Sequence, residues 1–152
     1  MHDVIHYSRP TWWLTKDLRS NKDGVDMNWL LVAMGGAIGA TLRYGTGMLI
    51  AKPQMLFPWP TWWINIIGCL CAGIFFAFSQ KYSFLQTEAR LFLMVGILGG
   101  FTTFSSFGLE TFQLLKQGAV TIALSYVISS VIIGVFMLGM GFYLTQLALA
   151  QA

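Results

Sequence analysis

The sequence predicts an all-α integral membrane protein with four transmembrane helices, the third of them broken, and three observations support this fold class. Of the 152 residues, 56% are hydrophobic and 10% are charged, a combination that soluble domains seldom show. Four apolar segments are each long enough to cross a bilayer core, which takes roughly 20 residues. The third segment carries glycines and hydroxyl side chains in its middle, where a membrane helix is expected to be uniform.

Residues 1–26 are a polar N-terminal section. They hold four of the nine basic and four of the six acidic residues, and they lack the continuous apolar run of a secretory signal peptide. We therefore expect 1–26 to be a disordered or interfacial extension, or the product of an upstream start assignment. A membrane domain is expected over 27–152.

Short connections separate the four predicted spans. The spans cover about residues 28–50, 61–78, 89–115 and 119–147. Between the first two, Pro53, Pro58 and Pro60 end helical structure, and the tryptophans beside them are typical of a membrane interface. Gln117 and Gly118 are predicted to make the last turn.

Four spans place both termini on one face of the membrane, so the charges on the two faces can be compared. Beyond the polar extension, one face carries Lys81 and Arg90, and the other carries Lys52 and Lys116. This balance gives no preferred orientation under the positive-inside rule. A small protein without that preference is expected to insert both ways and to form antiparallel, dual-topology homodimers. Because the extension would add four positive residues to one face, we expect the functional chain to start near Met27.

Polar residues within the first two spans are candidate functional residues. Arg43 lies where an arginine usually faces protein or a water-filled cavity, although it can also snorkel to the interface, and the sequence does not separate these roles. Asn65 stands alone in the apolar string TWWINIIG. Its amide suits either a dehydrated anion or an interhelical hydrogen bond, and the second role is the commoner one. Cys69 and Cys71 are expected to be small packing residues.

The third segment, ARLFLMVGILGGFTTFSSFGLETFQLL, contains the most informative pattern. The glycine pair at 99–100 and the threonine pair at 102–103 predict a break, because each glycine lowers helix propensity by about 1 kcal/mol relative to alanine. Broken helices at membrane depth expose backbone carbonyls and amides that can form ion sites. After the break, Phe104 and Phe107 share a helical face, and aromatic ring edges carry a partial positive charge that can meet an anion.

Further hydroxyl and carboxyl side chains extend this polar set. Ser105 and Ser106 lie just after the break, Glu110 follows one turn later, and Tyr126 and Ser130 stack on one face of the fourth span. Taken alone, two phenylalanines at this spacing would most often only pack, and a hydroxyl in a membrane helix often bonds to the preceding turn. The combination of a broken backbone, hydroxyl pairs, an aromatic pair and a lone asparagine predicts an ion path.

These residues resemble the signatures of the Fluc (CrcB-type) fluoride channel family. The strings GGAIGATLRY, TWWINIIG and GGFTTFSSF occur in the family's order and at similar spacing, and the resemblance runs from Met27 to near the C-terminus. It implies a fluoride-selective channel of the cell inner (plasma) membrane that exports fluoride passively and so gives fluoride resistance. It also implies an antiparallel homodimer in the bilayer, with two pores and one structural sodium ion at the centre of the interface.

The resemblance further implies roles for individual residues. The backbone carbonyls of Gly99 and Thr102 from both subunits would hold the sodium ion. Arg43 and Glu110 match family positions whose roles stay open between pore vestibule and structural bonding, while Gly134 stands where the family's hydroxyl track often continues. The implied fluoride pore consists of Asn65, Phe104, Phe107, Ser105, Ser106, Tyr126 and Ser130.

Other functions are disfavoured by what the sequence lacks. The scattered basic residues make no nucleic-acid surface, and no ATP-binding loop, paired membrane carboxylates or redox ligands point to a pump or an enzyme. The main alternative is a small multidrug exporter of the four-helix, dual-topology type, which normally relies on an acidic residue in its first helix, and residues 28–50 contain none. The second alternative, a non-transporting membrane assembly subunit, does not account for a broken helix lined with hydroxyls.

Overall fold

A computed structural model describes residues 22–51 and 55–151, with side chains from Met27 onward within those ranges. This part of the chain is helical, as the sequence predicts. Its helices are α1 (Lys22–Ile50), α2 (Trp59–Lys81), α3 (88–101), α4 (Phe104–Lys116) and α5 (Val120–Gln151), with a 3₁₀ turn at Ser83–Gln86. Most of the predicted extension, together with Lys52 and Pro53, lies outside the described residues.

Within the described residues, three helical stretches are long and apolar enough to cross a membrane. They are Trp59–Lys81, Glu88–Lys116 and Val120–Gln151. Large apolar side chains cover the outside of the last stretch, where Val135 is 70% and Phe136 66% exposed. Such a surface is expected to lie against lipid or another chain rather than water. The protein is therefore a membrane protein. The long helix α1 is not among the three, and its glycines and Arg43 lower its mean hydropathy.

The helix ends follow from the prolines and glycines of the sequence. α1 begins at Lys22, upstream of the predicted start at residue 28, so the end of the predicted extension has helical backbone. α2 begins at Trp59, and Pro60 falls in its first turn. Backbone N–H groups in the first turn have no acceptor within the helix, so the N–H that proline lacks costs no hydrogen bond. Gly118 has a φ of 76° and donates to the Leu115 carbonyl over 3.0 Å. A positive φ suits glycine at a helix C-terminus, which confirms the predicted last turn.

Helices α2 and α5 lie side by side and run in the same direction. At one end the Trp62 indole contacts Ser129, and at the other the Lys81 Nζ donates to the Leu149 carbonyl over 2.8 Å. A cluster of buried apolar side chains lies near the first end, beneath α4; its members are Trp62, Ile66, Leu114, Ala123 and Tyr126. This core holds α4 and α5 against α2.

Helix α1 packs against α3 through glycines. A Cβ added at Gly96 would lie 2.8 Å from the Gly35 Cα, and one at Gly100 would lie 2.6 Å from the Gly36 carbonyl oxygen. The backbones therefore approach as closely as only glycine allows. The chain stays helical through Gly99–Phe101 and leaves helical geometry at the threonines that follow. Gly100 thus serves close packing, Gly99 has no such close neighbour, and the threonine pair makes the break.

Candidate functional site

The break between α3 and α4 consists of two residues in extended conformation. Thr102 has φ −77° and ψ 157°, and Thr103 has φ −151° and ψ 113°. Asn65 on α2 completes the hydrogen bonding of this stretch. Its Nδ2 donates to the Thr103 carbonyl over 3.2 Å, and its Oδ1 accepts from the Thr103 N–H over 2.9 Å. The interhelical hydrogen bond predicted for Asn65 is therefore present, and it holds the broken backbone.

The side chain of Thr103 starts α4. Its Oγ1 accepts from the Ser106 N–H over 3.2 Å, which is the bond of a helix N-cap. The same oxygen lies 3.0 Å from the Ser106 Oγ and 3.3 Å from the Ser105 Oγ. Thr103 is only 7% exposed, so these bonds lie inside the protein and fix the first turn of α4.

Because of these bonds, two backbone carbonyl groups lose the N–H donors that they would have in a continuous helix. In an α-helix the Gly99 carbonyl accepts from the N–H of residue 103, and the Thr102 carbonyl accepts from the N–H of residue 106. Here the Thr103 N–H donates to Asn65, and the Ser106 N–H donates to the Thr103 side chain. The Gly99 and Thr102 carbonyls are the pair that the family resemblance assigns to sodium.

A groove of about 440 Å³, here called the first groove, brings together six of the predicted site residues. Phe104 and Phe107 line it with ring centroids 5.6 Å apart, and Phe104 is 83% exposed. The Ser130 Oγ is fully covered, and among the described residues it has no hydrogen-bond partner. The predicted residues that line the first groove are Asn65, Gly99, Thr102, Phe104, Phe107 and Ser130.

A second groove, of about 560 Å³, lies on the other side of the break. Its walls carry Arg43 from α1, Thr61 from α2 and Ser106 from α4, and Thr103 lines both grooves. Arg43 is half-buried. The second groove therefore combines a guanidinium with hydroxyl groups next to the Asn65–Thr103 pair.

Glu110 connects three helices away from the first groove. Its Oε1 accepts from the Thr61 Oγ1 over 2.7 Å, and its Oε2 accepts from the Tyr126 hydroxyl over 2.8 Å. The Tyr126 side chain is fully buried and packs under the Phe107 ring, with centroids 5.1 Å apart. Glu110 thus joins α4 to α2 and α5, and Tyr126 lies behind a groove-lining residue and lines neither groove. Ser105 is exposed and lines neither groove.

Sequence reasoning missed three residues of this region. Thr61 lies one helical turn before Asn65, and Cys69 lies one turn after it and lines the first groove. Spacing by four residues from Asn65 would have found both. Thr103 was predicted only as part of the break, although a threonine just before a helix is a common N-cap. Arg43 and Ser106 share the second groove, whereas they were not predicted to meet.

Comparisons with known proteins agree with the resemblance. Residues 30–142 match the family described as "CrcB-like protein, Camphor Resistance (CrcB)". A protein of Methylobacillus flagellatus named fluoride-specific ion channel FluC is 42% identical over 122 residues, which are 79% of this chain and 95% of the relative. Proteins of the same name from Thermus thermophilus and Hyphomonas neptunium are 46% and 43% identical, over 76% and 78% of this chain and 93% and 94% of their own. The chain belongs to the CrcB-like family.

Proposed function

We propose that this protein is a fluoride-selective channel that lets fluoride leave the cytoplasm passively across the inner membrane. The observation that carries the proposal is the first groove, where Asn65, the Ser130 hydroxyl and the edges of two phenylalanines meet beside a broken helix. The names of the relatives support the choice of ion. The cellular consequence is resistance to fluoride.

The lining of the first groove suits a small, strongly hydrated anion. Such an ion gives up water only where several donors replace it. The Asn65 amide has two N–H groups and uses one on the Thr103 carbonyl, so the second is available as a donor. Ser130 supplies an O–H group that no described residue accepts. The ring edges of Phe104 and Phe107 add weak positive charge in an apolar setting.

The second groove is the proposed aqueous approach to this site. Arg43 attracts anions, and the Ser106 hydroxyl lines the same groove, whereas Thr61 gives its O–H to Glu110. Since the Asn65–Thr103 pair lies between the two grooves, an anion would pass from the arginine to the amide. A membrane potential is worth about 2.3 kcal/mol per charge per 100 mV. With a negative cell interior, it drives fluoride outward without any coupled energy source.

A structural sodium ion fits the break, and we propose that the Gly99 and Thr102 carbonyls hold it. Carbonyl oxygens are suitable ligands for a hard cation, and these two have lost their usual helical donors to other bonds. When bound, the ion would supply positive charge that offsets the carbonyl dipoles. Both residues line the first groove, so the same ion would lie close to the proposed path.

We further propose that α1 is the fourth span and that the working unit is an antiparallel pair of chains. A phenylalanine ring that is 83% exposed, as Phe104 is, needs cover from lipid or protein. The first groove is open along one side, and a second copy placed there would close it into a path. The balanced charges of the two faces permit the inverted orientation.

The alternative functions gain no support from the site. A proton-coupled multidrug exporter needs an acidic group that faces its substrate, and in the described residues Glu110 uses both carboxylate oxygens on hydroxyls of neighbouring helices. An assembly subunit would have no need for the spare Asn65 N–H and for a Ser130 hydroxyl that has no partner among the described residues.

Fluoride efflux from liposomes tests the proposal. Purified protein in vesicles loaded with potassium fluoride should release fluoride once valinomycin allows potassium to follow, and chloride-loaded vesicles should release chloride far more slowly. Empty vesicles are the control. Release of the two halides at equal rates, or no release above the control, would contradict the proposed function.

A further inference from the structure

A hydrogen bond outside both grooves connects the two helices that carry the donor side chains. The Trp62 Nε1 on α2 donates to the Ser129 Oγ on α5 over 3.1 Å. Ser129 in turn donates to the Tyr126 carbonyl over 3.3 Å. Neither Trp62 nor Ser129 lines the first groove.

The positions of these two residues relate directly to the first groove. Ser129 precedes Ser130, and consecutive side chains on a helix point about 100° apart. A fixed direction for Ser129 therefore fixes the direction of Ser130. Trp62 lies three residues before Asn65, on a neighbouring part of the α2 surface. At this end of the pair the bond fixes the rotation of α5 against α2, and that rotation determines where Ser130 lies relative to Asn65.

The Trp62 side chain is held so that it can perform this role. It is only 9% exposed, and its ring packs edge-on against Trp59 and Trp63 with centroids 5.7 Å and 4.9 Å apart. An indole has one donor, and a buried donor needs a partner. In the apolar interior Ser129 supplies that partner, so a swing of the ring or a rotation of α5 would leave the indole N–H unpaired.

We propose that the Trp62–Ser129 pair is a positioning clamp that aims the Ser130 hydroxyl into the fluoride path. The inference rests on the proposed function and adds Trp62 and Ser129, which act on the ion only through Ser130. It explains how the Ser130 Oγ is covered and kept without a partner among the described residues, instead of turning back to the preceding turn as membrane serines often do.

Two adjacent tryptophans give a matched test in the liposome efflux assay. Trp62→Phe keeps the aromatic ring and removes the donor, and it should slow fluoride efflux about threefold, the factor typical of one interhelical hydrogen bond in a membrane protein. Trp63→Phe makes the same change at a side chain that is 42% exposed, and it should leave efflux unchanged. Ser129→Ala should slow efflux like Trp62→Phe, whereas Ser129→Thr, which retains the hydroxyl, should not.

A double-mutant cycle separates positioning from a general loss of structure. If the clamp acts through Ser130, Trp62→Phe should slow efflux in the parent protein but add nothing to Ser130→Ala. The clamp is overturned if Trp62→Phe and Ser129→Ala both release fluoride as fast as Trp63→Phe. It is also overturned if Trp62→Phe still slows efflux about threefold when it is combined with Ser130→Ala. Should Trp62→Phe not fold, the smaller Ser129→Ala change carries the same comparison. Parent protein that releases no fluoride overturns the proposed function and the clamp together, whereas normal release by parent and clamp variants alike overturns the clamp alone.

Discussion

The side-chain amide of Asn65 pairs with both backbone groups of Thr103, so it replaces the helical bonds that the break removes. One residue therefore supports the backbone of the break and presents its remaining N–H to the first groove. These two uses of one amide determine what its substitution should do.

Asn65→Ala should slow fluoride efflux about tenfold or more, because a hydrogen bond to a charged group contributes about 1.5–3 kcal/mol and the substitution removes its donor. It should also lower the thermal stability, since the Thr103 carbonyl loses its partner. Both quantities are measured on purified protein, by efflux from liposomes and by thermal unfolding in detergent. Gln146→Ala is the control, because it removes an exposed amide that bonds to Gln80 at the far end of α2. Equal efflux from the two variants would exclude Asn65 from the path.

Ser130→Ala should separate efflux from stability. Its hydroxyl has no partner among the described residues, so its removal should not weaken the fold and should relieve the cost of a buried unpaired group, about 1 kcal/mol. Fluoride efflux should nevertheless fall about tenfold, because the path loses a donor. Ser125→Ala, at an exposed position on α5, serves as the control. A loss of stability together with efflux would show that Ser130 has a structural bond instead.

The features that sequence could predict are those that depend on neighbours along the chain. Helix positions, the last turn and the shared face of Phe104 and Phe107 follow from apolar runs, Gly118 and three-residue spacing. The partner of Asn65 could not be predicted, because Thr103 lies 38 residues away and only tertiary packing brings them together. For the same reason the sequence could not show that Tyr126 packs against Phe107 and donates to Glu110.

The two cysteines should differ in their reaction with thiol reagents during transport. Cys69 lines the first groove, and Cys71 is exposed on another face of α2. A small methanethiosulfonate that reaches both thiols should therefore block efflux only through Cys69. We expect block of the parent protein and of Cys71→Ser, and resistance of Cys69→Ser. Block that persists in Cys69→Ser would show that the first groove is not the fluoride path.

Glu110 should matter mainly for stability, because it joins α2, α4 and α5 through Thr61 and Tyr126. Tyr126→Phe removes one of these donors from a part-buried carboxylate, and it should lower the free energy of unfolding by about 1–3 kcal/mol. Thermal unfolding in detergent measures the change. Tyr143→Phe removes a hydroxyl from a side chain that is 68% exposed, and it should have no such effect. If both variants unfold at the parent temperature, the carboxylate does not hold these helices together.

Sodium should stabilise the protein, and Asn65 should control that effect. The Gly99 and Thr102 carbonyls lack their usual helical donors because Asn65 and the Thr103 side chain take them. A ligand that binds only the folded state adds about 1.4 kcal/mol for each tenfold rise in its concentration above its dissociation constant. The unfolding temperature should therefore rise with sodium chloride and not with equal choline chloride. In Asn65→Ala the Thr103 N–H can return to the Gly99 carbonyl, so the difference between the two salts should shrink. A parent protein that responds equally to both salts would mean that these carbonyls hold no sodium, whereas an unchanged sodium response in Asn65→Ala would mean that Asn65 does not prepare the site.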